Sequence, residues 1–329
     1  MADPAPAISA APAKQAAKEV SKQVSKQAAP RNEPSGGKAR LRDRLAGIAL
    51  ATPATALMLA LLIGPTLAVG FLSLTDWGFG ARSFAFIGLD NYAEMAGDPV
   101  FRRSLINTLV YVGVVMPVSV ALALGVALLI QGGRFGRTFF RTAYFLPVAS
   151  TLVAMATVWQ FMLHPNLGLV NEMLRLVGLA GPNWLTDRGL VLFTLAGIGI
   201  WETIGYNMIL FLAGLMAIPG HLYEAAEVDG AHRPLDKFLT VTWPMLGPTT
   251  LFVIVITAIR SFRVFESVAV LTQGGPGNAS QVLLFTMYRE SFVYFRAGYG
   301  AALTIVFLAF ILILTLIQIR VIDRRVHYA

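Results

Sequence analysis

Arg260, Arg263 and Glu266 recur at i, i+3 and i+6 inside an otherwise apolar run, a spacing that sets all three on one face of a helix. A guanidinium there is costly. At the centre of a hydrophobic span it costs about 2.5–3.5 kcal/mol on insertion scales, so it must face protein or a water-filled cavity. Two chemistries are open to the row. Arg263 and Glu266 can neutralise each other as an internal ion pair. Alternatively, planar guanidinium groups can hydrogen-bond a polyol, or clasp a phosphate or sulfonate. Glu202, Tyr206 and Asn207 lie at similar depth in the preceding apolar run and extend the polar set. Together they are expected to make a surface that a polar solute touches in passing.

Covalent and nucleotide chemistry has no equipment here. The chain has no cysteine, so thiolate metal sites and a cysteine nucleophile are excluded. Gly36-Gly37-Lys38 lacks both the upstream glycine and the following Ser or Thr of a phosphate-binding loop. No HExxH or GxSxG occurs, and the four histidines are scattered. The expectation is a chain with no catalytic residue, no metal site and no cofactor of its own.

The elements that must position the polar set belong to a membrane. Of 329 residues 56% are hydrophobic and 13% charged, with a mean hydropathy of +0.66, a balance typical of polytopic membrane proteins. Six runs reach the length of about 20 apolar residues that a bilayer requires; they fall near 45–74, 105–130, 142–163, 190–218, 249–271 and 298–322. Pro53, Pro65, Pro117 and Pro147 lie in or near these runs and are expected to bend them. Residues 1–44 are rich in Ala, Pro, Lys and Gln and read as a solvated, disordered tail, although Lys14, Lys18, Lys22 and Lys26 could form a stripe against anionic headgroups. A short tail follows at 326–329. With both termini on one side, seventeen Lys and Arg fall on that side against seven opposite, which makes it the cytosolic one. The net charge of +8 is thereby explained by topology, without nucleic acid.

One cytosolic loop breaks that bias. Residues 219–248, PGHLYEAAEVDGAHRPLDKFLTVTWPMLGP, carry four acids against two bases. Pro219 suits a helix start, and Gly230 suits a left-handed stop. Pro234 fits the first turn of a second helix that places Leu235, Phe238 and Leu239 on one face, with Pro244 and Pro248 ending it. An acidic loop on the basic side points to a protein partner. Glu224-Ala225-Ala226, then Asp229-Gly230-Ala231, Phe238 and Trp243-Pro244, resemble the EAA loop of ABC-importer permeases. The resemblance spans roughly 45–325. Within it Gly88–Tyr111, His164–Asp187 and Leu271–Phe292 are similar to the carbohydrate branch, and Thr272–Pro276 (TQGGP) to its maltose-type first permease. A large inserted periplasmic domain and extra amino-terminal helices of the maltose permease are lacking.

The resemblance implies an all-α ABC type I importer permease fold of six transmembrane helices, set in the cytoplasmic membrane of a bacterium. It implies a coupling helix at Glu224, Ala225, Ala226, Glu227, Asp229 and Gly230 that docks on a cytoplasmic ATPase. Two such ATPase subunits would bind the ATP and Mg²⁺, a second permease would complete the channel, and an extracytoplasmic solute-binding protein would deliver a sugar near Gly274, Gly275 and Pro276. Of the two glutamates, the resemblance favours Glu224 for an ion pair with the ATPase, while simple capping of the helix start is the alternative. The alternative is a glycerol phosphate or sulfonated sugar, which the arginine row would suit. A secondary transporter would instead call for inverted repeats and proton-relay acids, of which only Glu202 is placed.

Overall fold

A computed structural model describes residues 37–133 and 136–323, with side chains over 44–133 and 136–320. The expected tails lie outside the described residues, except that Gly37–Arg44 is already helical, so the first helix starts before the expected limit at 45. The chain divides at Pro65 into two compact units. The first holds α1 (Gly37–Met58) and a π turn over Leu59–Ile63. Helix α2 (Gly64–Leu72) leads into the second unit, which runs from Thr66 onward.

The second unit is a helical bundle. Its elements are α3 (Asp90–Gly97), α4 (Pro99–Gly132), α5 (Arg137–Ala149), α6 (Leu152–Met162), α7 (Leu169–Leu176) and α8 (Val191–Ala217). There follow α9 (Gly220–Val228), α10 (Pro234–Lys237), α11 (Trp243–Met245), α12 (Gly247–Phe262), α13 (Glu266–Leu271), α14 (Leu283–Tyr288) and α15 (Ala297–Asp323). Among the described residues four helices are long and apolar enough to cross a membrane: Arg44–Leu72, Pro99–Gly132, Val191–Ala217 and Ala297–Arg320. Two bent pairs, Arg137–Ala149 with Leu152–Met162 and Pro234–Met245 with Gly247–Leu271, bring the number to six if each is one span.

Local chemistry explains most boundaries. Asp98 caps α4 by accepting from the Val100 amide at 2.7 Å, with Pro99 in the first turn. At 34 residues α4 is about 50 Å long, more than a bilayer core needs. The expected single helix over 142–163 is corrected: α5 and α6 meet at 100° across extended Ser150 and Thr151. Pro147 removes an amide donor just before the break. Two other prolines are absorbed differently. π turns over Leu59–Ile63 and Phe238–Thr242 shift the ladder to i−5 (Gly64 N–H to Leu59, Trp243 N–H to Phe238) immediately before Pro65 and Pro244. Pro244 therefore lies in the last turn, and the helix ends between Pro244 and Pro248 as expected, with a 67° bend before Gly247. The helical run from Pro234 continues to Met245.

Helix α8 is the hub of this unit, with Leu195, Met208, Phe211 and Leu215 fully buried. It approaches its neighbours through glycine. A Cβ on Gly205 would stand 1.9 Å from the Tyr144 carbonyl oxygen of α5, so only hydrogen permits that crossing. Gly205→Ala is expected to destabilise the bundle by about 1–3 kcal/mol, the usual cost of overpacking. Gly197, which has nothing within 4 Å of its would-be Cβ, should accept alanine freely. Thermal unfolding of the two variants in detergent checks the contrast.

Candidate functional site

Where α4, α8 and α12 converge, a cavity of about 370 Å³ opens with Tyr111, Glu202, Arg260, Arg263 and Glu266 on its wall. Arg260 is held by Glu202, Nη2 to Oε1 at 3.3 Å, and its guanidinium lies 4.6 Å from the centre of the Tyr206 ring. The side chains of Arg260 and Glu202 are 38% and 25% exposed, so the pair faces the cavity from the apolar bundle. Thr203, Ser261 and Ser267 add hydroxyl groups to the wall.

Two expectations need correction. The i, i+3, i+6 row assumed an unbroken helix, but α12 ends at Phe262, Arg263 is its C-cap, and α13 begins at Glu266. Arg263 consequently forms no ion pair with Glu266. The ion pair on this wall runs between helices, from α12 to α8. Asn207 is also displaced from the solute surface. It is fully buried, and its Oδ1 accepts from Thr257 Oγ1 at 3.0 Å, locking α8 to α12. Tyr206 reaches the site only through Arg260. Sequence reasoning missed Tyr111, whose hydroxyl sits so close to Gly199 that a Cβ there would be 2.1 Å away. A lone tyrosine in the apolar run of α4 was the available sign.

The acidic loop folds on itself as a compact knob. Helix α9 ends in a Schellman motif: Gly230 sits at φ +96°, the Ala231 amide donates to Ala226 at 2.8 Å, and the Gly230 amide to Glu227 at 3.1 Å. Ala226, Ala231 and Val241 form a small core under it. Tyr223 and Thr242 share a hydroxyl hydrogen bond at 3.0 Å, and Lys237 pairs with Glu227. The hydrogen bond that Lys237 donates to Glu227, and the Lys237 charge, hold the Glu227 carboxyl below the usual carboxylate range. Ala226, expected on the docking face with Ala225, is instead buried within the loop. Left exposed are Glu224, Ala225, Val228, Leu235 and Leu239, with Asp229 beside the Gly230 turn.

The TQGGP segment is a compact turn. Gly274 takes φ +81°, and a Cβ there would meet Gln281 Oε1 at 2.0 Å. Ser280 Oγ donates to Gly275 O at 2.6 Å, and Asn107 Nδ2 of α4 donates to the Asn278 and Gln281 carbonyls. Gly274 is buried and Gly275 and Pro276 are half-buried, so Gln273 and Gly277 are what the turn shows to solvent.

A family model described as "binding-protein-dependent transport system inner membrane component" matches residues 103–328. The chain belongs to that family. Among its relatives, a probable ABC transporter permease (YurN) of Bacillus subtilis is 35% identical over 76% of this chain and 87% of its own length. The sn-glycerol-3-phosphate transport system permease UgpA of Agrobacterium fabrum is 33% identical over 78% and 87%. Among solved structures, a chain of a bacterial alginate ABC transporter, in complex with an alginate-bound periplasmic protein, superposes with a TM-score of 0.76. That match has 25% identity and covers 87% of this chain and 96% of that one. The permease thus has the all-helical, type I ABC importer fold, and the acidic loop, the cavity and the TQGGP turn all fall inside the matched 103–328.

Proposed function

We propose that the permease is one half of a heteromeric channel that imports a neutral carbohydrate by alternating access. The observation that carries this reading is the cavity wall. It places two guanidinium groups and two carboxylates, Arg260, Arg263, Glu202 and Glu266, on one small space inside an apolar bundle. Such a wall offers donors and acceptors together at no net charge, which suits a solute whose hydroxyl groups are both. The relatives named as ABC permeases support the transport class, and the charge bias of the loops supports cytosolic termini. On this reading the exposed face of the coupling loop docks on one of two ATPase subunits that bind ATP and Mg²⁺. The TQGGP turn shapes the outer face for a solute-binding protein, and the permease itself needs no cofactor.

A second reading, import of glycerol phosphate or an anionic sugar, is favoured by the names of the UgpA relatives. The two carboxylates on the wall count against it, since each repels an anion. Proteoliposomes holding the permease, its second permease, the ATPase and the solute-binding protein separate the two. Radiolabelled maltose or another neutral sugar from a mono- and disaccharide panel is expected to accumulate only with ATP inside. Accumulation of sn-glycerol 3-phosphate alone would reverse the substrate class. Accumulation driven by an ion gradient without ATP would sink the importer reading altogether.

A further inference from the structure

Arg263 and Glu266 line a second space as well, about 340 Å³ in volume, whose remaining wall includes Phe265, Tyr288, Phe292 and Thr304. From there a row of rings continues along the bundle. Phe265 meets Tyr288 edge-on at 5.3 Å, Tyr288 meets Phe292 at 5.8 Å, and Phe292 stacks on Phe79 at 5.4 Å with 27° between planes. Trp77, in the loop after α2, closes the row against Phe79 at 5.2 Å. Rings of this size are normally buried, yet Phe79, Tyr288 and Phe292 are 43%, 42% and 58% exposed. At the inner end, Arg263 and Glu266 carry no side-chain hydrogen bond or ion pair among the described residues, in contrast to Arg260. A lipid chain would leave both charges unanswered. A solute with an apolar face and a hydroxylated edge answers rings and charges together.

We propose that this row is an outer carbohydrate subsite, where a pyranose lays its C–H face on Tyr288 and Phe292 and its hydroxyls reach Arg263 and Glu266. Because those two residues also border the inner cavity, the sugar passes from ring stack to the Arg260–Glu202 wall without leaving them. The proposal rests on the carbohydrate reading above.

The test uses the complete transporter in nanodiscs, with methyl β-D-glucopyranoside, maltose and sn-glycerol 3-phosphate as probes in saturation-transfer NMR. Phe292→Leu and Tyr288→Leu keep apolar bulk but remove the ring face. Each is expected to weaken pyranoside binding about two- to tenfold, the worth of one aromatic contact, with the complex intact on size exclusion. Wild-type binding in both variants overturns the subsite. Dissociation of the complex by Phe292→Leu also overturns it, assigning the row to a subunit contact. If maltose binding is lost in Arg260→Leu but kept in both ring variants, the carbohydrate reading stands and the outer subsite alone falls. Binding of glycerol phosphate with none of either pyranoside removes both.

Discussion

Uptake by the assembled transporter is expected to fall at least about thirtyfold when Arg260 is replaced by leucine, with the membrane level of the permease unchanged. The figure follows from the cost of removing one member of a desolvated, hydrogen-bonded charge pair, about 2–5 kcal/mol, at about 1.4 kcal/mol per tenfold. The lower end applies because the side chains of Arg260 and Glu202 are 38% and 25% exposed to the cavity. A purely structural pair would respond in the same direction, so the single variant needs a companion. Removing both charges of a structural pair is often neutral. In Arg260→Leu with Glu202→Gln, a pair that only holds α8 to α12 would give transport back. A pair that also hydrogen-bonds the solute would not, since the guanidinium donors are gone and the amide that replaces the carboxylate presents a different, uncharged donor and acceptor set. The double variant is expected to assemble fully and to remain inactive. Recovery of uptake in it would relegate Arg260 to packing.

Much of this arrangement was legible in the chain, and the failures have a common cause. The runs expected at 190–218 and 298–322 appear as Val191–Ala217 and Ala297–Asp323 because length and apolarity suffice to define an uninterrupted span. The stop at Gly230 and the start at Pro234 were equally readable, since a left-handed turn and a fixed φ are properties of single residues. The break after Phe262 was not. No glycine or proline marks it, and Val264 within the break and Val268 after it are buried against α4 and α8 residues. Packing therefore decides where the helix parts. The partnership of Arg260 with Glu202, 58 positions apart, and the burial of Asn207 against Thr257 depend on which helix faces which. So does the aromatic row, whose members come from separated segments. Residue type announced that Arg260 must be answered by something. Only the fold says by what.

The acidic loop yields the other large effect. Glu224→Arg is expected to lower ATP-driven uptake at least about thirtyfold, by the same charge-pair cost at a protein interface, while the bundle itself folds as before. The reason lies in how the knob is built. Its internal fastenings use Glu227 with Lys237, Tyr223 with Thr242, and the buried Ala226, Ala231 and Val241. None of them involves Glu224, which is exposed and makes no side-chain hydrogen bond or ion pair among the described residues. Its charge is therefore available to a partner, and beside it Val228 and Leu235, 89% and 64% exposed, supply apolar surface that a groove would cover. Glu227→Gln tests the division of labour, because its carboxylate is already engaged by Lys237. That change should loosen the loop to limited proteolysis yet leave most uptake in place. The decisive measurement is ATPase activity stimulated by the loaded solute-binding protein. In Glu224→Arg it should drop together with uptake, and a cysteine placed at Ala225 should crosslink to the ATPase in the unmutated complex alone. Equal crosslinking and stimulation in both complexes would mean that the force between motor and channel passes elsewhere.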